Sequence, residues 1–135
     1  MPSPIPVPVL VVDDQRLFRL AAAAVLRRSE GFELVAEAET GEEALEQVAL
    51  LRPALVLMDI NMPGINGIEA TRRILEASPE TVVFLCSTYQ LSDLPAEALT
   101  SGANAYVNKE ELAPAVLRRL WDDRRHSGKG TLHTV

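Results

Sequence analysis

The stretch Val7-Pro8-Val9-Leu10-Val11-Val12-Asp13-Asp14 decides the fold. Its apolar residues run without alternation into two carboxylates, the pattern of a strand covered on both faces rather than one with a wet side. Leu55-Val56-Leu57-Met58-Asp59 repeats the arrangement and delivers one more carboxylate. In an open α/β sheet the reactive crevice lies beyond the carboxyl ends of such strands, so Asp13, Asp14 and Asp59 are expected together at one end of a parallel sheet. Two further runs finish in polar groups. Val82-Val83-Phe84-Leu85-Cys86 leads into Ser87 and Thr88, and Ala105-Tyr106-Val107-Asn108 leads into Lys109. Carboxylates, hydroxyls and an ammonium are thereby brought toward one place.

Between the strands the periodicity changes to that of helices, and the two alternate five times, as an α/β sandwich requires. The first helix is expected from Gln15 to Arg28, with Leu17, Leu20, Ala21, Ala24 and Val25 as its inward stripe, and Gly31 after it. A second strand covers Phe32 to Ala38. The second helix starts at a Thr40-Gly41-Glu42-Glu43 capping box and is stopped by Arg52-Pro53. The third is expected over Ile68 to Ala77, before a strand from Thr81 to Cys86. The fourth is expected over Asp93 to Ser101, although Pro95 is tolerable only in its first turn, with Gly102 as a left-handed stop. The fifth starts with Pro114 in its first turn and runs to Arg125; Leu117, Leu120, Trp121 and Arg124 form a stripe on it.

The 135 residues suit one domain of ordinary size. Residues 1–6 read as a proline-rich lead-in, 7–125 as the folded domain, and 126–135 as a flexible tail or the start of a linker. Hydrophobic residues make up 47% and charged residues 24%, the balance of a globular protein. Thirteen basic against nineteen acidic residues give a net charge of −6; this argues against direct nucleic-acid binding by this chain. No apolar run is long enough to span a bilayer, and the opening residues lack the basic and apolar regions of a secretory signal. The single cysteine, Cys86, excludes an internal disulfide and fits the reducing cytoplasm; within an apolar strand it reads as a buried, inert thiol.

The pattern Val12-Asp13-Asp14, Met58-Asp59-Ile60-Asn61-Met62-Pro63, Gly67, Ser87 and Lys109 resembles the receiver domain of two-component response regulators. The segments Asp14-Gln15-Arg16-Leu17-Phe18-Arg19 and Gly67-Ile68-Glu69-Ala70 look most like receivers joined to LuxR/NarL-type helix-turn-helix output domains. The resemblance implies a flavodoxin-like (CheY-like) three-layer sandwich: a five-stranded parallel sheet of order 2-1-3-4-5 with five helices. The right-handed crossover rule then puts helices one and five on one face and two, three and four on the other.

The resemblance also implies roles. Asp59 is the phosphoacceptor for a sensor histidine kinase. Mg²⁺, or Mn²⁺ in its place, is held by Asp14 and Asp59, by Asp13 through water, and by the backbone carbonyl of Asn61. Lys109 and Ser87 contact the phosphoryl group, with Thr88 the alternative hydroxyl, and Tyr106 is the switching aromatic ring. Pro63 and Gly67 shape the loop. Asn61 and Tyr89 flank the path of hydrolytic water and tune the lifetime. A regulator of this kind catalyses only its own phosphorylation and dephosphorylation, and switches a surface made of helix four, strand five and helix five. That face, or the face of helices one and five, could also form a homodimer. The rival readings are a stand-alone receiver, a phosphorylation-independent interaction module, and a haloacid-dehalogenase-type phosphotransferase. The last wants a second aspartate where Asn61 stands, and gives the Asp13-Asp14 pair no role.

Overall fold

A computed structural model describes residues 5–124 and 133–134. The strands are β1 (Val7–Val12), β2 (Phe32–Ala38), β3 (Leu55–Asp59), β4 (Val82–Ser87), β5 (Ala105–Asn108) and a two-residue β6 (His133–Thr134). The helices are α1 (Arg16–Arg27), α2 (Gly41–Leu51), α3 (Gly67–Ala77), α4 (Ala96–Leu99) and α5 (Pro114–Asp123). All strands pair in parallel, in the order β2-β1-β3-β4-β5-β6. The expected five-strand order is present. β6 extends it by pairing His133 and Thr134 with Ala105 and Tyr106, on what would otherwise be an open edge with unpaired backbone groups. The rest of the expected tail, 126–132 and 135, and residues 1–4 of the expected lead-in lie outside the described residues.

Alternate residues of the strands feed two cores. Leu10, Val12, Val56, Met58, Val83 and Leu85 pack beneath α2, α3 and α4, while Val9, Val11, Leu55, Leu57, Phe84 and Cys86 pack beneath α1 and α5. The unbroken apolar runs of β1, β3, β4 and β5 are thus explained, since these strands are covered on both sides; β2, at the sheet edge, instead exposes Glu33, Val35 and Glu37. α5 contributes Leu117 and Leu120 to the second core, and Trp121 meets Phe32 edge-on with centroids 6.0 Å apart. The α5 stripe is packing surface.

Turn chemistry follows the sequence closely. Thr40 accepts a hydrogen bond from the Glu43 N–H at 3.0 Å, Arg52 closes α2 with a φ of 48° ahead of Pro53, and Gly102 takes a φ of 95°. Among the described residues no helix is long and apolar enough to cross a membrane.

Two helices differ from expectation. The buried face of α1 is Arg19, Ala22, Ala23, Val25 and Leu26, whereas Leu17 is 82% and Leu20 53% exposed. Of the expected stripe only Val25 is buried; the helix is rotated because Arg19, not a leucine, takes the inward position nearest the carboxyl end of β1, where its guanidinium has three acceptors. α4 is only four residues, after a 3₁₀ turn at Leu91–Asp93. Pro95 forces the reason: Leu94 before it is extended at φ −64°, ψ 131°, and Pro95 itself has ψ 140°, so no helix can pass through them.

Candidate functional site

The ends of β1 and β3 are neighbours, since Val12 pairs with Met58, and the residues that follow meet as a consequence. Ligand oxygens of Asp13, Asp14 and Asp59 lie within 4.8 Å of one another. Asp13 is buried completely, Asp59 is 4% exposed, and Asp14 faces solvent. Asp13 is fixed by its backbone N–H donating to the Ala38 carbonyl at 3.0 Å and by its Oδ1 accepting from the Gln15 N–H at 2.8 Å.

Lys109 follows β5 and begins a short 3₁₀ turn. Its Nζ lies 2.6 Å from Asp13 Oδ2 and 3.2 Å from Asp59 Oδ1, and 4.7 Å from the centroid of the Phe18 ring. The contact with Asp13 Oδ2 is charge pairing, and that buried oxygen has no aligned hydrogen bond. Burial opposes the charge of Lys109, yet the contacts with Asp13 and Asp59 outweigh it and raise its pKa. Asp59 behaves oppositely. Burial, then the Asp13 carboxylate, push it up to about 6 despite Lys109. One ammonium does not balance three gathered carboxylates. An oxygen-only set with a buried, unaligned acceptor fits a hard divalent cation.

The turn after β3 brings backbone close to the site. Gly67 N–H donates to the Ile60 carbonyl at 2.8 Å, and a Cβ at Gly67 would collide with the Asp59 carbonyl oxygen. Only glycine fits there. Asn66 caps α3 by accepting from the Glu69 N–H at 2.9 Å. Pro63, in the same turn, is exposed.

At the end of β4, Ser87 is buried and Thr88 exposed. Ser87 Oγ accepts from the Tyr89 N–H at 3.0 Å. Tyr106 is 3% exposed, and its hydroxyl donates to the Tyr89 carbonyl at 2.6 Å, with the Ser87 carbonyl at 3.1 Å. Burial raises its pKa. The Tyr89 phenol oxygen accepts from Asn61 Nδ2 at 3.1 Å, so this ring reaches across to the β3 turn. Cys86, one residue before Ser87, is 1% exposed and burial pushes its thiol up to about 12, which keeps it protonated.

Three residues at the site escaped the sequence reading. Phe18 lies against Lys109. Asn108 caps the 3₁₀ turn, accepting from the Glu110 N–H at 3.0 Å while its Nδ2 donates to the Tyr89 carbonyl at 3.3 Å. Arg19 donates to the Asp13 carbonyl. The first two have ordinary one-dimensional signals, an aromatic in a helix and an Asn at a strand end. Arg19 had one usable signal, a cation between apolar helix positions.

Residues 9–120 match the family model of the response regulator receiver domain. The chain is 37% identical over 112 residues to the transcriptional regulatory protein DegU of Brevibacillus brevis, covering 83% of this chain and 48% of DegU. It is 36% identical over 122 residues to the response regulator GacA of Pseudomonas aeruginosa, covering 87% of this chain and 56% of GacA. The chain thus spans about half the length of the curated relatives it matches. Among solved structures, the signal receiver domain of NarL from Mycobacterium tuberculosis superimposes with a TM-score of 0.82 at 28% identity, over 92% of this chain and all of that one.

Proposed function

Since the chain belongs to the response regulator receiver family, we propose that Asp59 accepts a phosphoryl group from the phosphohistidine of a sensor histidine kinase. The observation that carries this reading is the convergence of Asp13, Asp14 and Asp59 around the ammonium of Lys109. A carboxylate oxygen of Asp59 attacks phosphorus as the phosphorus–nitrogen bond breaks, and the imidazole leaves with that electron pair. Asp14 and Asp59, with Asp13 and the Asn61 carbonyl beside them, would hold Mg²⁺, or Mn²⁺. A cation held there would supply the positive charge that offsets repulsion between the carboxylates and the incoming phosphoryl oxygens. Lys109 reaches the new phosphoryl oxygen from its place beside Asp59 Oδ1. The Ser87 hydroxyl, whose oxygen accepts from the Tyr89 N–H and whose proton is free to donate, turns toward the phosphoryl group, donates to another of its oxygens and draws away from Tyr89.

That exchange transmits the signal. Ser87 and Tyr106 both bond to Tyr89, so drawing Ser87 toward Asp59 alters the loop that leads to α4, a population shift rather than a rigid lever. The surface that changes is α4, β5 and α5. The similarity to DegU supports transcriptional regulation through a helix-turn-helix domain outside these residues. The homodimer, through the α4-β5-α5 face or the α1-α5 face, and a cytoplasmic location belong to the same proposal. The net charge of −6 favours a chain that leaves DNA contact to another domain.

Incubation with acetyl phosphate and Mg²⁺ tests the assignment by intact mass. One phosphoryl mass should be added to the wild type and none to Asp59→Asn. Equal labelling of the two would reject it.

A further inference from the structure

Arg19 is 9% exposed, and no step above uses it. Its Nη1 donates to the Asp13 carbonyl at 2.7 Å, its Nε to Glu37 Oε1 at 3.1 Å, and its Nη2 to Glu39 Oε1 at 3.3 Å. The guanidinium thereby joins the turn after β1 to the end of β2, and α1 is rotated to let it in, with Leu17 and Leu20 left outside. A buried arginine of this kind is weak support for stability, because desolvation offsets most of the attraction. It is better suited to fixing a geometry. Asp13 already has its N–H and Oδ1 held by Ala38 and Gln15, and the carbonyl that links it to Asp14 is the one Arg19 holds.

We propose that Arg19 is a positioning residue for the cation site: by clamping the Asp13 carbonyl against Glu37 and Glu39, it holds the Asp13-Asp14 turn in the geometry that a divalent cation requires. The inference rests on the reading of the three aspartates as that site. Removing a residue that orients ligands typically weakens metal binding by about 10- to 100-fold. Charge alone predicts the opposite, since deleting a cation beside a cation site should tighten binding. Lysine keeps the charge but lacks the planar fork needed to reach a carbonyl and two carboxylates together.

Mg²⁺ titrations of the full chain, followed by the amide resonances of Asp13, Asp14 and Asp59, separate these possibilities. Arg19→Met is expected to raise the Kd about tenfold or more, and Arg19→Lys by a smaller factor, severalfold but under about tenfold. Unchanged Kd in both folded variants would reduce Arg19 to a structural ion pair and overturn the proposal, as would tighter binding by Arg19→Met. If Arg19→Met does not fold, Arg19→Lys decides: several-fold weakening supports the clamp, and wild-type affinity refutes it. Wild-type amides that ignore Mg²⁺ would instead sink the parent reading, and the clamp with it.

Discussion

At Asp59, burial and the nearby Asp13 carboxylate raise the carboxyl to about 6, whereas an unfolded aspartate titrates near ~3.9. Between those values the native state binds more protons than the unfolded chain, so stability falls as pH rises through this window. The penalty is complete above the folded pKa and disappears as pH falls toward the unfolded one. Its size is on the order of 2–3 kcal/mol. Asp59→Asn keeps the shape and removes the charge. In metal-free buffer at pH 7.5 it is expected to be more stable than the wild type by about 2 kcal/mol in urea unfolding, and that gain should shrink toward zero near pH 4. A gain that persists at pH 4 would show that the charge is not its source. The acidic cluster and the approach of Lys109 were both legible from the strand ends; that the ammonium sits nearer Asp13, at 2.6 Å, than Asp59, at 3.2 Å, needed the sheet to be seen in space.

Helix α1 shows where one-dimensional periodicity misleads. Leucines at 17 and 20 suggest an apolar face, but Arg19 has three acceptors at the end of the sheet and small residues, Ala22 and Ala23, let the opposite side approach the strands. The orientation has a direct test. Leu17→Glu and Leu20→Glu should each change stability by no more than about 0.5 kcal/mol, while Leu26→Ala, at a fully packed position, should cost about 2–5 kcal/mol. The reverse ranking would restore the leucine stripe to the core. Helix α4 fails differently: Pro95 was visible, but its effect on Leu94 removes the expected start at Asp93, so the helix begins only at Ala96. The loop between β4 and that short helix is instead held by Tyr89, whose phenol meets Asn61 and whose carbonyl meets Tyr106 and Asn108. A ring placed beside the Asp59 turn can obstruct water attacking a phosphoryl group there. Tyr89→Ala is therefore expected to shorten the phosphoryl lifetime by roughly tenfold, less than the ~10²–10⁴-fold of a positioned general acid or base because the ring only obstructs the water, with phosphorylation itself preserved. Equal decay rates, measured by loss of the added mass, would mean that Tyr89 serves only the loop.

Over the whole molecule, the alternation of strands and helices was legible because β1, β3, β4 and β5 are buried on both faces and so read as apolar runs, while β2, with Glu33, Val35 and Glu37 exposed, stands out as an alternating edge strand. The order of those strands was not: no local pattern says that β3 lies between β1 and β4, and only the resemblance to receivers supplied it. That order makes the site, since it places Asp13, Asp14 and Asp59 together from two strands separated by β2 in the chain. The unfolded chain has no such cluster. A cation that binds the gathered carboxylates but not the separated ones must stabilise the fold by RT ln(1 + [L]/Kd), about 2.7 kcal/mol at a hundredfold excess over Kd. For a domain of this size that corresponds to a rise in Tm of roughly 10 °C. Asp14→Ala removes the exposed carboxylate while leaving both buried ones in place, so it should fold and lose most of the rise. Calorimetry of the two proteins with and without saturating Mg²⁺ gives the answer: an undiminished rise in Asp14→Ala would place the ion away from the ends of β1 and β3, and the sheet order would then have no part in binding it.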